Sequence, residues 1–301
     1  MSDLVMSDFE THSVTSQDGT RVGYRQLGEG PGIVLLHGSM ESAQNHMQLA
    51  RALAGRFTIY LPDRRGRGMT GPYGDAYGIE REVEDLRAVL TATGARNVFG
   101  VSASGLVALQ AAVSLPEIER VAVYEPALLV DGYDQGLVGW IDRFDREIGD
   151  GDVPAALVTS MLGLELGPKL LNYLPRWLLE GFTNLAMKSE DKSAGPDDVT
   201  MRKLAPTIGY EGRLIRQMAG TLGTFQDLKT PVLLLGGSKG LAFLKPSLDA
   251  LERTLPNATR IEFAGLDHGG SSDVTKANAG GKPEVVAPEL QRFFGAVDVE
   301  R

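Results

Sequence analysis

The sequence predicts an α/β protein, a mostly parallel sheet flanked by helices, with a helical segment inserted in its middle. Three observations carry this expectation. Short apolar runs such as "GIVLLHG" (32–38) and "PVLLLGG" (231–237) recur along the chain, and continuous runs of this kind suit strands buried on both faces. Segments with apolar residues at helical spacing alternate with them, as right-handed βαβ units require. The stretch from 131 to 223 contains no such run and is broken by Gly and Pro.

The elements follow in order. "HSVTSQDGTRVGYRQL" (12–27) reads as two β runs around Asp18-Gly19, a hairpin signal. After "GIVLLHG" comes a helix over 44–56 with Met47, Ala50, Leu53 and Ala54 on one face, then the strand "FTIYLPD" (57–63). Ile79, Val83, Leu86 and Leu90 mark an amphipathic helix. "NVFGVS" (97–102) is a strand, and 103–115 is apolar almost all round, hence a buried helix. "RVAVYEP" (120–126) has strand character. Beyond the insertion, "PVLLLGG" leads to a helix lined by Leu244, Leu248, Leu251 and Leu255, then to the strand "TRIEFAG" (259–265). Val286, Leu290 and Phe293 mark the closing helix. The organisation expected is a core of 1–130 and 224–301 around a helical cap of 131–223.

Composition narrows the function. A net charge of -9 with interspersed signs disfavours a nucleic acid or an anionic membrane as partner. The chain has no cysteine, which excludes disulfides and thiolate metal sites. Its four histidines (His12, His37, His46, His268) form no H-E-x-x-H pair, so no metal and no cofactor is expected. The start, "MSDLVMSDFE", has no basic and apolar leader pattern, and no run approaches ~20 apolar residues. A cytoplasmic protein is the expectation, with a homodimer left open.

"GVSASG" (100–105) sits where a buried strand meets a helix, the edge at which α/β sheets bind ligands. Small residues there suit either an ordinary junction or a nucleophile on a tight turn. The G-x-S-x-G elbow places glycine two residues before and after its serine; Gly100 fills the first place, Ser104 stands in the second, and Ser102 becomes the candidate. "LLHGS" (35–39), "PDRRGRGMTG" (62–71) and "GLDHGG" (265–270) each follow a strand, in the order His-Gly, serine, histidine. With these motifs the chain resembles the α/β-hydrolase superfamily, in its cap-bearing group of serine esterases. The resemblance implies that Ser102 attacks a carbonyl and that His268 moves its proton. It also implies that the N–H groups of Ser39 and Ala103 hold the oxyanion. His37 and the Asp63-Arg64-Arg65 turn are expected to be structural.

The family's usual acid position falls in "GGSKG", where this chain carries Lys239, and a protonated lysine cannot accept the imidazole N–H. Glu125, at the end of "RVAVYEP", preserves the order Ser, acid, His and is the preferred acid. Asp131 is a weaker candidate, and Asp267 lies too close to His268 in sequence. Met40, Trp140 and Trp177 are the expected substrate-binding residues, and "KSEDKSAGPDD" (188–198) an exposed polar connection. The function expected is hydrolysis of a carboxylic ester or lactone of an apolar small molecule. The alternatives are a cofactor-free cyclase or lyase on the same scaffold, suggested by Lys239, and a ligand-binding pseudoenzyme.

Overall fold

The structure, a computed structural model, describes residues 9–130, 139–166, 169–195 and 198–296. Eight strands form one sheet: Glu10–Thr15 (β1), Arg21–Leu27 (β2), Gly32–Leu36 (β3), Thr58–Pro62 (β4), Asn97–Val101 (β5), Arg120–Tyr124 (β6), Val232–Gly237 (β7) and Ala258–Phe263 (β8). Their order is β1-β2-β4-β3-β5-β6-β7-β8. The β1/β2 and β2/β4 pairs are antiparallel and the others parallel.

The apolar runs divide between two cores because successive strand residues point to opposite faces. Val34 and Leu36 of β3, Val121 and Val123 of β6, and Val232 and Leu234 of β7 join one core. There they meet Ile79–Thr93 (α2), Ala103–Ser114 (α3) and, beyond the insertion, Lys245–Thr254 (α9). Ile33, Leu35, Ala122, Tyr124, Leu233 and Leu235 join the other. It is closed by Met47–Leu53 (α1) and Pro283–Phe294 (α10). The helix expected over 44–56 splits: a 3-10 turn, Ala43–His46, precedes α1.

Between β6 and β7 the described residues form helices and no strand. These are Ile141–Gly149 (α4), Val153–Gly163 (α5), a 3-10 turn Lys169–Tyr173, Arg176–Ser193 (α6), Met201–Leu204 (α7), Thr207–Met218 (α8) and a second 3-10 turn Leu222–Phe225. The polar stretch from 188 was expected to be a connection, yet α6 runs on to Ser193. Its acidic residues there are engaged: Glu190 accepts from the Met201 N–H at 2.9 Å and Asp191 from Arg202 Nε at 3.0 Å. Asp131 lies outside the described residues.

The insertion is tied to the sheet by a buried ionic cluster. Arg64, in the loop after β4, forks onto Glu82 of α2 through Nε and Nη2, both at 2.9 Å. Its Nη1 donates to both oxygens of Glu211 on α8, at 2.8 and 3.0 Å. Arg67 also donates to Glu211, and Tyr77 Oη to Glu82 at 2.6 Å. Asp63 is enclosed as well, accepting from Arg25 Nη1 at 3.0 Å and from the Ala43 N–H at 2.9 Å.

Removing one member of such a cluster strands its partners as buried charges, at a cost of about 3–5 kcal/mol. Arg64→Met should therefore lower unfolding free energy by about that amount in denaturant titration. Arg96→Ala, which breaks an exposed pair with Glu119, should change it by less than ~1 kcal/mol.

Candidate active site

The site forms where parallel strands end in step. Val101 of β5 pairs with Tyr124 of β6, and Tyr124 with Leu235 of β7. The next residue on each of the first two strands, Ser102 and Glu125, therefore emerges at the same edge. Both adopt left-handed backbone, with φ 56° and 44°, a conformation rare outside glycine and costing about 1–3 kcal/mol. At Ser102 it is held by three bonds. Its N–H donates to Tyr124 O at 3.0 Å, and its carbonyl accepts from the N–H groups of Gly105 and Ala127 at 3.0 and 3.1 Å. Glycine is required at position 100: a Cβ there would lie 2.4 Å from the Ser104 carbonyl oxygen.

Ser102 and Ser104 differ in their surroundings. Ser104 is wholly buried, and its hydroxyl donates to the carbonyl of His37, anchoring the His-Gly loop to α3. Ser102 lines a cavity of about 430 Å³ between the sheet edge and the inserted helices, and His268 lines the same cavity. The wall is mainly apolar, including Leu129, Met161, Ile215 and Phe243; Ser39, Met40 and Trp140 also belong to it. Trp140 packs edge-on against Phe144, with ring centroids 5.7 Å apart. Trp177 does not belong to this wall. It is 71% exposed on the outside of α6, which corrects its expected place beside substrate. Its turn of the helix instead buries Leu179.

Glu125 is enclosed on all sides. Its Oε2 lies 2.7 Å from His268 Nδ1, and its Oε1 accepts from the Gly237 N–H at 3.0 Å. The turn after β7 folds directly over this carboxylate, so a Cβ at Gly240 would fall 1.7 Å from Oε1. Lys239 belongs to that turn and points to solvent. The N–H that Glu125 receives belongs to the last residue of β7, just before that turn. Asp267 spends its carboxylate on the Gly269 N–H, at 3.0 Å.

The loop after β3 faces Ser102 across the cavity. His37 Nε2 accepts from the Arg64 N–H at 3.1 Å, so Nδ1 carries the proton that goes to Gly38 O at 3.0 Å. Burial, with the positive charges of Arg67 and Arg64, pushes its pKa well below the ordinary histidine value, and it stays neutral. The Gly38 N–H is taken by Glu41 Oε2 at 2.7 Å. Ser39 is the next residue on this loop, and Ala103 opens α3, where an N–H has no acceptor within its own helix.

No motif in the sequence marks Glu41. Its carboxylate also accepts from Ser272 Oγ and lies 3.0 Å from His46 Nε2, joining the His-Gly loop to the His268 loop. Burial opposes its ionisation, but attraction to His46 and the bonds from His46, Ser272 and Gly38 hold its pKa below the usual carboxylate value. Glu211, likewise unremarked in sequence, belongs to both the ionic cluster and the cavity wall. A glutamate on an exposed-looking helix carries no local signal of either role.

Comparison with known proteins agrees with this architecture. The model of the Alpha/beta hydrolase family matches residues 33–277. A pimeloyl-[acyl-carrier protein] methyl ester esterase of Xanthomonas axonopodis pv. citri (strain 306) is 25% identical over 273 residues, covering 90% of this chain and 98% of its own. An alpha/beta hydrolase from Sphaerobacter thermophilus DSM 20745 superposes with a TM-score of 0.73 at 28% identity, covering 94% of this chain and 100% of its own. The esterase RhEst1 from Rhodococcus sp. ECU1013 shares the fold, with a TM-score of 0.63 at 19% identity over 95% of this chain and 98% of its own.

The contact between Gly240 and Glu125 generates a structural prediction. Gly240→Ala should displace the Glu125 carboxylate and abolish the Nδ1–H···Oε2 bond, read as loss of the downfield imidazole proton resonance. Lys239→Ala, at an exposed position, should leave that resonance in place.

Proposed function

Because the chain belongs to the alpha/beta hydrolase family, we propose that it hydrolyses a carboxylic ester or lactone of an apolar small molecule through Ser102, His268 and Glu125. The observation that carries this reading is the 2.7 Å contact between His268 Nδ1 and Glu125 Oε2, beside a cavity that His268 shares with Ser102. Esterase relatives covering nearly the whole chain support the reaction class.

Ser102 Oγ attacks the carbonyl carbon while His268 Nε2 takes its proton. The carbonyl oxygen becomes an oxyanion received by the N–H groups of Ala103 and Ser39; the Gly38 N–H is already committed to Glu41. Collapse of this intermediate expels the alkoxide, which takes the proton from His268. Water then attacks the acyl-serine, giving its proton to His268, and Ser102 Oγ leaves with that proton. Glu125 accepts the Nδ1–H throughout, fixing the tautomer that leaves Nε2 free, and stabilises the imidazolium while it exists. Its buried position, 2% exposed, makes that charge effective.

The inserted helices act as a cap over the sheet edge and form the apolar side of the pocket. About 430 Å³ lined chiefly by Leu, Ile, Met and Phe side chains favours an aliphatic acyl or alcohol portion, and pockets of this size hold small molecules. The carboxylate of Glu211 reaches the same wall but is neutralised by Arg64 and Arg67, which keeps it from repelling an uncharged ester. The contact of Glu125 with His268 supports hydrolysis over the cyclase or lyase reading that Lys239 suggests.

Ser102→Ala should abolish turnover of p-nitrophenyl butyrate with little change in melting temperature, whereas Ser104→Ala should keep turnover and lower the melt. Glu125→Gln keeps the shape and removes the charge; hydrolysis should fall at least ~10²-fold, toward the ~10⁴ of a neutralised triad carboxylate. Retained activity in Glu125→Gln would remove Glu125 from the mechanism. Trp140→Ala should shift kcat/KM between butyrate and decanoate esters by about 10-fold, the value of one or two methylenes of pocket complementarity. Trp177→Ala should leave that ratio unchanged.

A further inference from the structure

The outer side of the inserted helices carries a face that the site does not use. Leu170, Tyr173, Trp177, Phe182 and Leu185 are between 59% and 83% exposed, across the 3-10 turn Lys169–Tyr173 and α6. On α6, Trp177, Gly181 and Leu185 recur every four residues, and Lys188 and Lys192 continue the same stripe. The opposite side of this helix buries Leu179 and Met187. An ordinary surface helix turns polar residues outward; here both sides are apolar and the outer one is partnered by nothing among the described residues.

The charges on this face are of one sign. Lys188 and Lys192 are exposed and form no ion pair among the described residues. The nearby carboxylates are spent elsewhere: Glu180 on Arg176 at 2.7 Å, Glu190 on the Met201 N–H at 2.9 Å, and Asp191 on Arg202 at 3.0 Å. The chain as a whole carries -9, so a cationic, aromatic-bearing apolar strip is a local reversal of its surface. Position matters too. Thr183 and Ala186 of the same helix line the cavity, as does Leu166, itself 37% exposed.

From this juxtaposition we propose that the face seats on the surface of a phospholipid bilayer bearing anionic headgroups. The aromatic and leucine side chains enter the acyl boundary while Lys188 and Lys192 meet the phosphates, the arrangement of an interfacial amphipathic helix. A second copy of the chain is the poorer occupant, because its own face offers the lysines no carboxylate and they would be desolvated without counter-charge. No helix among the described residues is long and apolar enough to cross a membrane; the contact is with the surface. Docked so, the helix that lines the cavity lies against the bilayer, and an apolar substrate reaches the pocket without crossing water. The proposal goes beyond the hydrolytic reading and survives or fails without it.

The test is flotation of the full chain with phosphatidylcholine vesicles, with and without phosphatidylglycerol, at about 0.1 M salt. The wild type should float with the anionic vesicles and much less with neutral ones. The double variant Leu170→Ser, Leu185→Ser should reduce the bound fraction about 10-fold or more, and Lys188→Glu, Lys192→Glu should remove the anionic preference. Turnover of p-nitrophenyl acetate should be unchanged in both, which separates this surface from the hydrolytic site. A wild type that stays unbound overturns the proposal, as do variants that float like it. Failure to float, together with a dimer by light scattering that the serine variant dissociates, assigns the face to a second copy instead. Should the serine variant fail to fold, the lysine variant and the salt dependence of flotation decide alone.

Discussion

Two adjacent strand ends held in left-handed backbone organise this molecule. Ser102 and Glu125 each follow the last paired residue of a parallel strand, with φ of 56° and 44°. Neither is glycine, so the conformation is maintained against its own preference. What maintains it is reciprocal: the Ser102 N–H binds the carbonyl of Tyr124, the Glu125 N–H binds the carbonyl of Leu235, and the Ser102 carbonyl accepts from Gly105 and Ala127. Each strand end is thus braced by its neighbour. The two side chains project where the parallel sheet leaves a crevice, and His268, arriving on a loop after β8, needs only to reach the carboxylate at 2.7 Å.

That brace has a second consequence. A carboxylate as enclosed as that of Glu125 needs donors, and the Gly237 N–H and the His268 imidazole supply them. The turn after β7 must then pass close above it, which glycine at position 240 permits and a Cβ would prevent. Lys239 on this turn is exposed to solvent.

The insertion is coupled to this edge through charge. Glu211 on α8 receives Arg64 and Arg67 from the loop after β4, and Arg64 also grips Glu82. Arg64 in turn donates its N–H to His37, at the start of the loop that carries Ser39. One buried network therefore links the helices over the pocket to the loop beside Ser102. Each buried carboxylate of the cluster faces an arginine, so any one deletion leaves an uncompensated charge.

Fold class and strand positions were legible in the sequence because burial on both faces writes itself as continuous apolar runs, such as Ile33 to Leu36 and Val232 to Leu235. Ser102, His268 and Glu125 could be named there only as candidates, since turns after strands bring residues to one edge whatever the intervening length. Three things were decided only in three dimensions. Trp177 and Trp140 look alike in sequence, yet one faces solvent and the other the cavity, because helical spacing defines faces but not which face meets the sheet. Glu41 and Glu211 acquire their places from partners more than a hundred residues away, Ser272 for the first and Arg64 for the second, and no local pattern encodes a partner at that distance. That the turn after β7 folds over Glu125 depends on β6 and β7 being neighbours in the sheet, although the whole insertion separates them in the chain.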